Sequence, residues 1–457
     1  MSKQTAVRIA YIGGGSRGWA QDLFCDLALH EALHGQIVLY DIDHPAAVAN
    51  VARGEQVFTH PDARARFDLE VASELDAALE GADIVVISIE PGPIEAREAD
   101  LVVPERYGIL QAVGDTTGPG GILRAIRSCA PFVEFAEAIR RCCPAAWVFN
   151  YSNPMTLCTA LLHAVFPGIK AVGCCHEVFG LQTWFQRRIP RWFDAPEPAR
   201  NAVRLDVIGV NHFTWATAAR WCGHDLMPLL AAEIDRRGYF DQLDRSGEEE
   251  LDLSTSEGPN RFIGLDLFRR FGVPGAAGDA HLVEFVPWYC DSDASLQRLG
   301  VRRKTYARRL EMHAQKLQQP PVDHASPLKH SCEEGVETMA ALIGREDFFT
   351  NVNVPNTGQM PWLPQGAVVE GNALVRADEL VPTVPAPPPL PVQSLIRRVV
   401  DVQQAVLAGL LAEDNAAIEA ALLCDPLVVR LRPDQVHRMW REMRAANAQW
   451  LPAWARC

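Results

Sequence analysis

Two short segments place a thiol and an imidazole where they could bind a metal ion. The segment GCCHEV carries Cys175, and the segment GVNHF carries His212. A thiolate and an imidazole together suit a divalent metal of borderline softness, such as manganese, iron, cobalt, nickel or zinc. Because two protein ligands leave several coordination positions open, this pair predicts a catalytic metal that chelates a substrate rather than a structural metal.

The alternative for each residue taken alone is structural. A lone cysteine is most often a small buried hydrophobic residue, and a lone histidine is most often a hydrogen-bonded residue of the core. No CxxC motif occurs, so a zinc ribbon has no support. The adjacent pairs Cys142–Cys143 and Cys174–Cys175 are poor disulfide partners, which favours reduced thiols.

A glycine-rich turn near the start of the chain predicts a dinucleotide site. Residues 13–18 read G-x-G-x-x-G, between a predicted strand and a predicted helix, and Asp41 follows the last glycine after 23 residues (41 − 18). The glycines admit a pyrophosphate close to the backbone, and the carboxylate binds the adenosine ribose, which favours NAD over NADP. The predicted cofactor contacts are Gly13, Gly14, Gly15, Ser16, Gly18 and Asp41. A purely structural glycine turn is the alternative.

Short apolar runs predict the buried parallel strands that must position these residues. Helical stretches such as 17–30 and 129–142 lie between them, and this alternation predicts an α/β fold with an N-terminal Rossmann, doubly wound parallel sheet. Because the carboxyl ends of parallel strands meet at one edge, Cys175 and His212 are expected to converge there. The six predicted strands span residues 7–13, 36–43, 81–89, 145–154, 170–177 and 204–213.

The pattern changes near residue 200, where helices become dominant. We predict an NAD-binding domain over residues 1–200 and a metal- and substrate-binding domain over 201–457, the latter an α+β domain like that of lactate and malate dehydrogenases. The proline-rich segment 382–391 is expected to be an extended surface connection rather than a helix. Helices are predicted over residues 258–271, 294–318, 331–343 and 394–423.

Composition limits the classes of function. The chain has 457 residues, ordinary globular composition and a net charge of −14, which excludes a disordered chain and makes nucleic acid an unsuitable partner. No signal peptide and no apolar stretch long enough to span a membrane is recognisable. We therefore expect a cytoplasmic protein with reduced cysteines and no membrane partner.

Six motifs together resemble glycoside hydrolase family 4, in the same order, from about residue 7 to at least residue 375. They are IAYIGGGS, GDTTGPGGILRAIR, NYSNPMT, GCCHEV, GVNHF and NVNVPNTGQMPWLPQGAVVEG. The resemblance implies bound NAD and a divalent metal, Mn²⁺ or another, with hydride transfer from C3 of the sugar, removal of the C2 proton, elimination of the aglycone, addition of water and return of the hydride. Such NAD-dependent enzymes depart from the two-carboxylate scheme of most glycosidases.

The resemblance also implies roles for individual residues. Cys175 and His212 occupy the positions of the metal ligands, and His176 occupies that of the general acid for the leaving oxygen. Asn153 and Asn211 are similarly placed to bind substrate hydroxyls, while residues 114–116 are expected between the nicotinamide and the sugar.

The base that removes the C2 proton is expected to be Asp279, in the segment PGAAGDAH. The resemblance implies this role, because some members of the family use an aspartate and others a tyrosine. An ionised carboxylate beside a metal can act as a base. The alternative is that Asp279 only caps a helix or a turn.

The residues after Cys175 indicate the substrate class. His176, Glu177 and Val178 depart from the pattern of members that act on 6-phosphosugars and resemble the subgroup acting on non-phosphorylated α-glycosides, particularly uronides. We therefore predict hydrolysis of a small-molecule α-glucuronide or α-galacturonide, with an arginine binding the sugar carboxylate. Arg124, Arg302 and Arg303 are the candidates for that arginine.

Other readings remain open. An α-galactosidase or α-glucosidase of the same family would need no such arginine. An NAD-dependent dehydrogenase of the malate or lactate type would produce net NADH, and a non-catalytic NAD sensor would bind nucleotide without turnover. A homodimer or homotetramer is expected from the resemblance.

Overall fold

A nine-stranded sheet forms the centre of the molecule, in a computed structural model that describes residues 5–237, 261–318, 320 and 322–456. Its strand order is β12-β11-β10-β6-β5-β4-β1-β2-β3, and the last six are parallel to one another. The strands are β1 Thr5–Ile12, β2 Leu33–Tyr40, β3 Phe67–Val71, β4 Ile84–Ile87, β5 Trp147–Asn150, β6 Lys170–Gly173, β10 Phe348–Pro355, β11 Val368–Arg376 and β12 Glu379–Pro382.

The Rossmann prediction is confirmed in its parallel half. Five of the six predicted strands correspond to β1, β2, β4, β5 and β6. The sequence pattern missed β3 and the three strands β10–β12, which come from the C-terminal half of the chain and extend the sheet antiparallel beyond β6. The predicted division near residue 200 is therefore crossed by these strands.

The sixth predicted strand was assigned to the wrong sheet. β7 Arg204–Val210 pairs with β8 Phe213–Trp221, and β8 with β9 His224–Asp225, in a separate antiparallel sheet of three strands. The expectation that Cys175 and His212 end strands of one sheet is thus wrong. Instead His212 lies in the tight turn between β7 and β8, with a φ of 65°. A short apolar run does not distinguish a parallel strand from one arm of a hairpin.

Helices cover both faces of the large sheet. Two predicted helices prove to be broken: 294–318 divides into α12 and α13, and 394–423 divides between α15 and α16. Residues 258–260 of another prediction lie outside the described residues. The helices are α1 Trp19–Leu29, α2 His44–Phe58, α3 Leu75–Leu79, α4 Ala96–Arg106, α5 Gly118–Cys142, α6 Met155–Val165, α7 Glu177–Gln186, α8 Ile189–Phe193, α9 Met227–Arg237, α10 Phe262–Phe271, α11 Asp279–Phe285, α12 Asp293–Arg298, α13 Tyr306–Leu317, α14 Gly335–Leu342, α15 Leu390–Leu411, α16 Asn415–Leu422 and α17 Pro433–Ala446.

Burial on both faces explains why the strands read as continuous apolar runs. Along β4, Val85 and Ile87 belong to a core with α5, α6 and α17, whereas Ile84 and Val86 belong to a core with α1, α2 and α14. Alternate residues of a strand point to opposite faces, so both sets must be apolar here. The result is a sheet held rigidly between two helical layers, with its strand ends free to carry polar groups.

The proline-rich segment is extended over most of its length. Residues 383–389 belong to no helix or strand, as predicted, but the last two residues of the predicted segment begin α15. Pro391 fits there because the first turn of a helix does not need its N–H. Among the described residues, no helix combines the length and the apolar character needed to cross a membrane.

Candidate active site

The glycine-rich turn joins β1 to α1 and has the geometry of a dinucleotide site. Gly13 has a φ of +89°, and a Cβ on it would lie 2.1 Å from the Ser88 carbonyl oxygen. Gly18, with a φ of +144°, directly precedes α1. Because other residues would be strained or would clash here, the backbone stays open at the amino end of α1, where phosphate groups bind.

One side chain directly after β2 and one from α2 hold this turn in place. Asp41 Oδ2 accepts a hydrogen bond from Gly15 N at 2.8 Å, and a Cβ on Gly15 would lie 2.8 Å from the same oxygen. Asn50 Nδ2 donates to the carbonyl oxygens of Gly14 at 2.7 Å and of Ser16 at 3.0 Å. The predicted nucleotide residues are thus brought together, and Asn50, which the sequence analysis missed, supports them.

Three potential metal ligands form a buried cluster away from the glycine turn in the sequence. Asp115, His212 and His281 each offer a ligand atom, and these atoms all lie within 4.8 Å of one another. Asp115 belongs to the loop before α5, His212 to the β7–β8 turn and His281 to α11. Convergence of three separate segments on one buried point is the arrangement of a catalytic site rather than of a surface acid cluster.

The two histidines of this cluster are held as neutral rings. Their ring centroids lie 3.7 Å apart, and Thr116 Oγ1 lies 2.8 Å from His212 Nδ1. Burial, followed by the neighbouring His281, lowers the pKa of His212 to about 3, and burial also lowers the pKa of His281. A neutral imidazole keeps a nitrogen lone pair free, which metal ligation requires.

Cys175 follows β6 and is buried, but it is not a member of that three-residue cluster. Burial, with the nearby carboxylates of Glu370 and Glu177, raises the pKa of its thiol well above the usual value. A cysteine with such surroundings needs a bound cation to become a thiolate. Its role as a metal ligand therefore stays a prediction.

His176, the first residue after Cys175, is oriented by two carboxylates. Its Nδ1 lies 2.6 Å from Glu333 Oε1, and its Nε2 lies 4.0 Å from Glu177 Oε1. Burial opposes ionisation of Glu177, but His281, His176 and the N–H of Gly278 together lower its pKa to about 2. Glu177 is thus a carboxylate at neutral pH, and the hydrogen bond to Glu333 fixes the direction of the His176 ring.

The predicted substrate amides carry buried atoms that lack partners within the described part of the chain. Asn153 Oδ1 and Asn211 Oδ1 both lack one. Asn211 Nδ2 and Asn353 Nδ2 each lie 3.2 Å from Glu370 Oε2, and Glu370 Oε1 is itself without a partner. Buried polar atoms cost free energy when unpaired, so such a group of them is typical of a ligand site.

Asp279 begins α11, and both of its carboxylate oxygens accept backbone hydrogen bonds. Oδ2 lies 3.0 Å from Ile263 N, and Oδ1 lies 3.0 Å from Gly264 N, so the side chain caps the first turn of α10. The capping alternative is therefore present in the structure. A carboxylate oxygen can accept more than one hydrogen bond, so the predicted role as a base is not tested by this contact.

The side chains fit the metal that the motifs imply. Two neutral imidazoles and a carboxylate within one small buried volume, with a thiol nearby, are donors of the type that Mn²⁺ and other divalent transition metals accept. In addition, His281 Nδ1 is buried without a hydrogen-bond partner among the described residues. The glycine turn likewise has the open backbone that a pyrophosphate needs.

Several residues of the site carried only a weak signal in the sequence. Asp115 was placed near the sugar only through its motif, and His281 stood two positions after Asp279 without an assigned role. Glu370 lies inside another quoted motif. Glu333 carried no signal, because it comes from the segment before α14 and meets His176 only through the tertiary fold.

Comparison with known proteins identifies the family that this fold and site define. Residues 8–189 match the profile described as "Family 4 glycosyl hydrolase", and residues 207–428 match "Family 4 glycosyl hydrolase C-terminal domain". The chain belongs to glycoside hydrolase family 4, which confirms the resemblance seen in the motifs. Glycoside hydrolysis is accordingly the activity of its class.

Two relatives are similar along nearly the whole chain. An "Alpha-galacturonidase" from Thermoanaerobacterium saccharolyticum is 40% identical over 98% of this chain and 97% of its own. The crystal structure of lplD from Bacillus subtilis, described as a glucosidase, superposes with a TM-score of 0.86 at 38% identity, over 96% of this chain and 99% of that one.

More distant structures share the fold alone. The 6-phospho-beta glucosidase from Thermotoga maritima, solved with manganese, NAD⁺ and glucose-6-phosphate, has a TM-score of 0.76 at 18% identity over 97% of this chain and 99% of its own. A lactate dehydrogenase from a deep-sea metagenome library has a TM-score of 0.52 at 11% identity over 89% of this chain and 99% of its own. The predicted likeness to lactate dehydrogenase is thereby confirmed at the level of the fold.

Proposed function

We propose that this protein hydrolyses α-galacturonides with the help of NAD and a divalent metal ion such as Mn²⁺. The observation that carries the proposal is the likeness to an alpha-galacturonidase at 40% identity over nearly the full length of both chains. The departure from the 6-phosphosugar pattern after Cys175 supports the same substrate class. α-Glucuronides and neutral α-galactosides or α-glucosides are the alternatives that the assay below separates.

Different predicted residues bind the NAD, the metal ion and the sugar. The turn of residues 13–18 holds the pyrophosphate at the amino end of α1, and Asp41 holds the adenosine ribose. Asp115, His212 and His281, with Cys175, hold the metal ion, and Asn153 and Asn211 bind sugar hydroxyls. When bound, NAD⁺ supplies a hydride acceptor for C3 of the sugar, and the metal ion supplies Lewis acidity at the sugar oxygens.

Two residues of the chain move protons. Asp279 accepts the C2 proton, whose acidity rises once C3 carries a carbonyl group. His176 donates a proton from its ring to the departing glycosidic oxygen, and the Glu333 carboxylate holds the ring in position through Nδ1. The elimination of the aglycone is followed by addition of water at C1 and return of the hydride, so the cofactor leaves the cycle unchanged.

The cysteines favour a reducing compartment, and we place the protein in the cytoplasm. The eleven cysteines that the structure describes are all free thiols. A metal-binding Cys175 must escape oxidation, which a reducing compartment ensures. A homodimer or homotetramer stays a prediction.

One assay separates the alternatives. Aryl α-galacturonide, α-glucuronide, α-galactoside and α-glucoside are each supplied with NAD⁺, Mn²⁺ and a thiol reductant in deuterated water. We expect turnover of the galacturonide, deuterium at C2 of the released sugar, loss of activity with a chelator and no net rise in absorbance at 340 nm. Turnover without C2 deuterium contradicts the mechanism, and net NADH supports the dehydrogenase reading.

A further inference from the structure

One cationic side chain reaches the loop that carries Asp115. The Arg309 guanidinium donates through Nη2 to the Val113 carbonyl oxygen, and the backbone N–H of Lys304 donates to the Ala112 carbonyl oxygen at 2.7 Å. Glu284 Oε1 fixes the same loop from the other side, accepting from the N–H groups of residues 113 and 114 at 2.8 Å each. The Arg309 guanidinium therefore lies beside the ligand cluster rather than within it.

Arg309 has donor capacity that the protein does not use. It lies half-buried on α13, and its Nε is buried without a hydrogen-bond partner in the described chain. No carboxylate of the described residues forms an ion pair with Arg309. Because this half-buried guanidinium has no paired counter-charge in the described chain, an anionic ligand would supply one.

The other arginines near this loop are already paired. Arg97 and Arg124 both bind the Glu90 carboxylate. Arg303 binds Glu105 and donates to Asp293 at 3.0 Å. Arg302, the remaining candidate from the sequence, is exposed. Tertiary pairing thus removes Arg124 and Arg303 from the candidates and points to a residue that the sequence did not single out.

We propose that Arg309 binds the C5 carboxylate of the substrate and so selects uronides over neutral sugars. The inference rests on the proposed function and names the specificity residue of the same site. In a pyranose ring C5 lies across from C2, so a sugar whose C2 and C3 hydroxyls face the cluster holds its carboxylate on the side of the ring away from the metal ligands, where it needs a cation outside the cluster. A planar guanidinium fits a carboxylate with two parallel hydrogen bonds.

The test compares two substrates that differ only in the carboxylate. Arg309→Ala is assayed with aryl α-galacturonide and with the matching aryl α-galactoside, in the presence of NAD⁺ and Mn²⁺. We expect kcat/KM for the galacturonide to fall about 10- to 100-fold, mainly through KM, while the value for the galactoside stays within about threefold. Arg308→Ala is the matched control, because the neighbouring Arg308 is exposed and pairs with Glu311 on the same helix.

Arg309→Lys keeps the charge but not the two-pronged geometry, so it should fall between the wild type and Arg309→Ala. Calorimetric titration of the NAD- and Mn²⁺-loaded protein with free galacturonate and galactose gives a second readout, in which Arg309→Ala should lose the preference for galacturonate. Equal losses for both substrates, or an undiminished preference, overturn the proposal. If the wild type hydrolyses only neutral glycosides, the proposed function fails, while unchanged galacturonate affinity in Arg309→Ala would separately reject the carboxylate contact.

Discussion

Asp279 combines two possible roles, and Asp279→Asn separates them. The wild-type carboxylate accepts backbone N–H groups of Ile263 and Gly264, each at 3.0 Å, and so caps α10. An asparagine keeps the shape but can offer only one oxygen, so its amide group meets the other N–H with hydrogens. The substitution therefore weakens the cap, and it also removes the carboxylate that the proposed mechanism uses as the C2 base.

The two effects differ greatly in size. Loss of an aspartate cap costs about 0.5–2 kcal/mol, which lowers Tm by roughly 1–8 °C in a domain of about 150–250 residues. A protein with about 5 kcal/mol of stability would still be more than about 95% folded at 25 °C after that loss. Loss of a general base lowers kcat by about 10²–10⁴-fold. A large fall in kcat at 25 °C would thus report chemistry and not unfolding.

Asp414→Ala is the stability control for this experiment. Asp414 caps α16 through Oδ1, which accepts from the N–H groups of Ala416 at 2.8 Å and Ala417 at 3.1 Å, but it is exposed and belongs to no part of the site, and alanine removes that cap. The assay measures Tm without ligands, kcat with an aryl α-galacturonide, and deuterium at C2 of the product. We expect both variants to lose stability and only Asp279→Asn to lose kcat together with C2 exchange.

A retained kcat would refute the assignment of the base. If Asp279→Asn lowers Tm but keeps kcat and C2 exchange within about threefold, Asp279 serves only as a helix cap, and another group removes the proton. If kcat falls while C2 exchange in the substrate continues, Asp279 acts after proton removal.

Three further changes test other parts of the site. Cys175→Ser should weaken Mn²⁺ binding at least about tenfold in a spectroscopic titration, whereas Cys174→Ser should leave it unchanged, because Cys174 packs in the core beside the sheet. Glu333→Gln weakens the contact that orients His176, the proposed general acid. It should therefore lower kcat about 10- to 100-fold for aryl substrates with poor leaving groups and leave kcat nearly unchanged for those with good leaving groups. Glu284→Gln should flatten the pH dependence of Tm in the metal-free protein between pH 5 and 8.

The sign of the Glu284 effect follows from proton linkage. Burial raises the pKa of this carboxyl to about 8 in the folded state, whereas an unfolded glutamate ionises near pH 4.3. Between these values the folded state binds more protons, so rising pH lowers stability by up to about 1.4 kcal/mol per pH unit from this group. A glutamine cannot ionise, so the stability of the variant rises relative to that of the wild type as pH rises. A Tm difference that does not change with pH contradicts the buried, protonated state.

The outcomes that contradict the other two predictions are equally specific. Unchanged Mn²⁺ affinity in Cys175→Ser would remove this thiol from the metal site and leave the cluster of Asp115, His212 and His281 to bind the ion alone. If Glu333→Gln lowers kcat equally for substrates with good and poor leaving groups, Glu333 stabilises the fold and does not position the general acid.

Sequence patterns were sufficient to predict the parts of the fold that depend on the conformational preferences of consecutive residues. The turn of residues 13–18 needs glycines for a positive φ and a close backbone approach, and β1 and β4 need apolar residues on both faces. Each of these requirements appears in consecutive residues, so each is readable from the sequence. The pattern did not separate β7 from the parallel strands, because an apolar run carries no information about its partner.

The sequence by itself therefore determined the family, the nucleotide turn and the segments that carry the reactive side chains. Only the tertiary structure decided which side chains meet: His212 with Asp115 and His281 through a hairpin turn, His176 with Glu333 across 157 positions, and Arg309 with the loop before α5. The physical reason is that side-chain pairing depends on distances and burial set by the whole packed core, while sequence signals report conformational preferences over a few neighbouring residues.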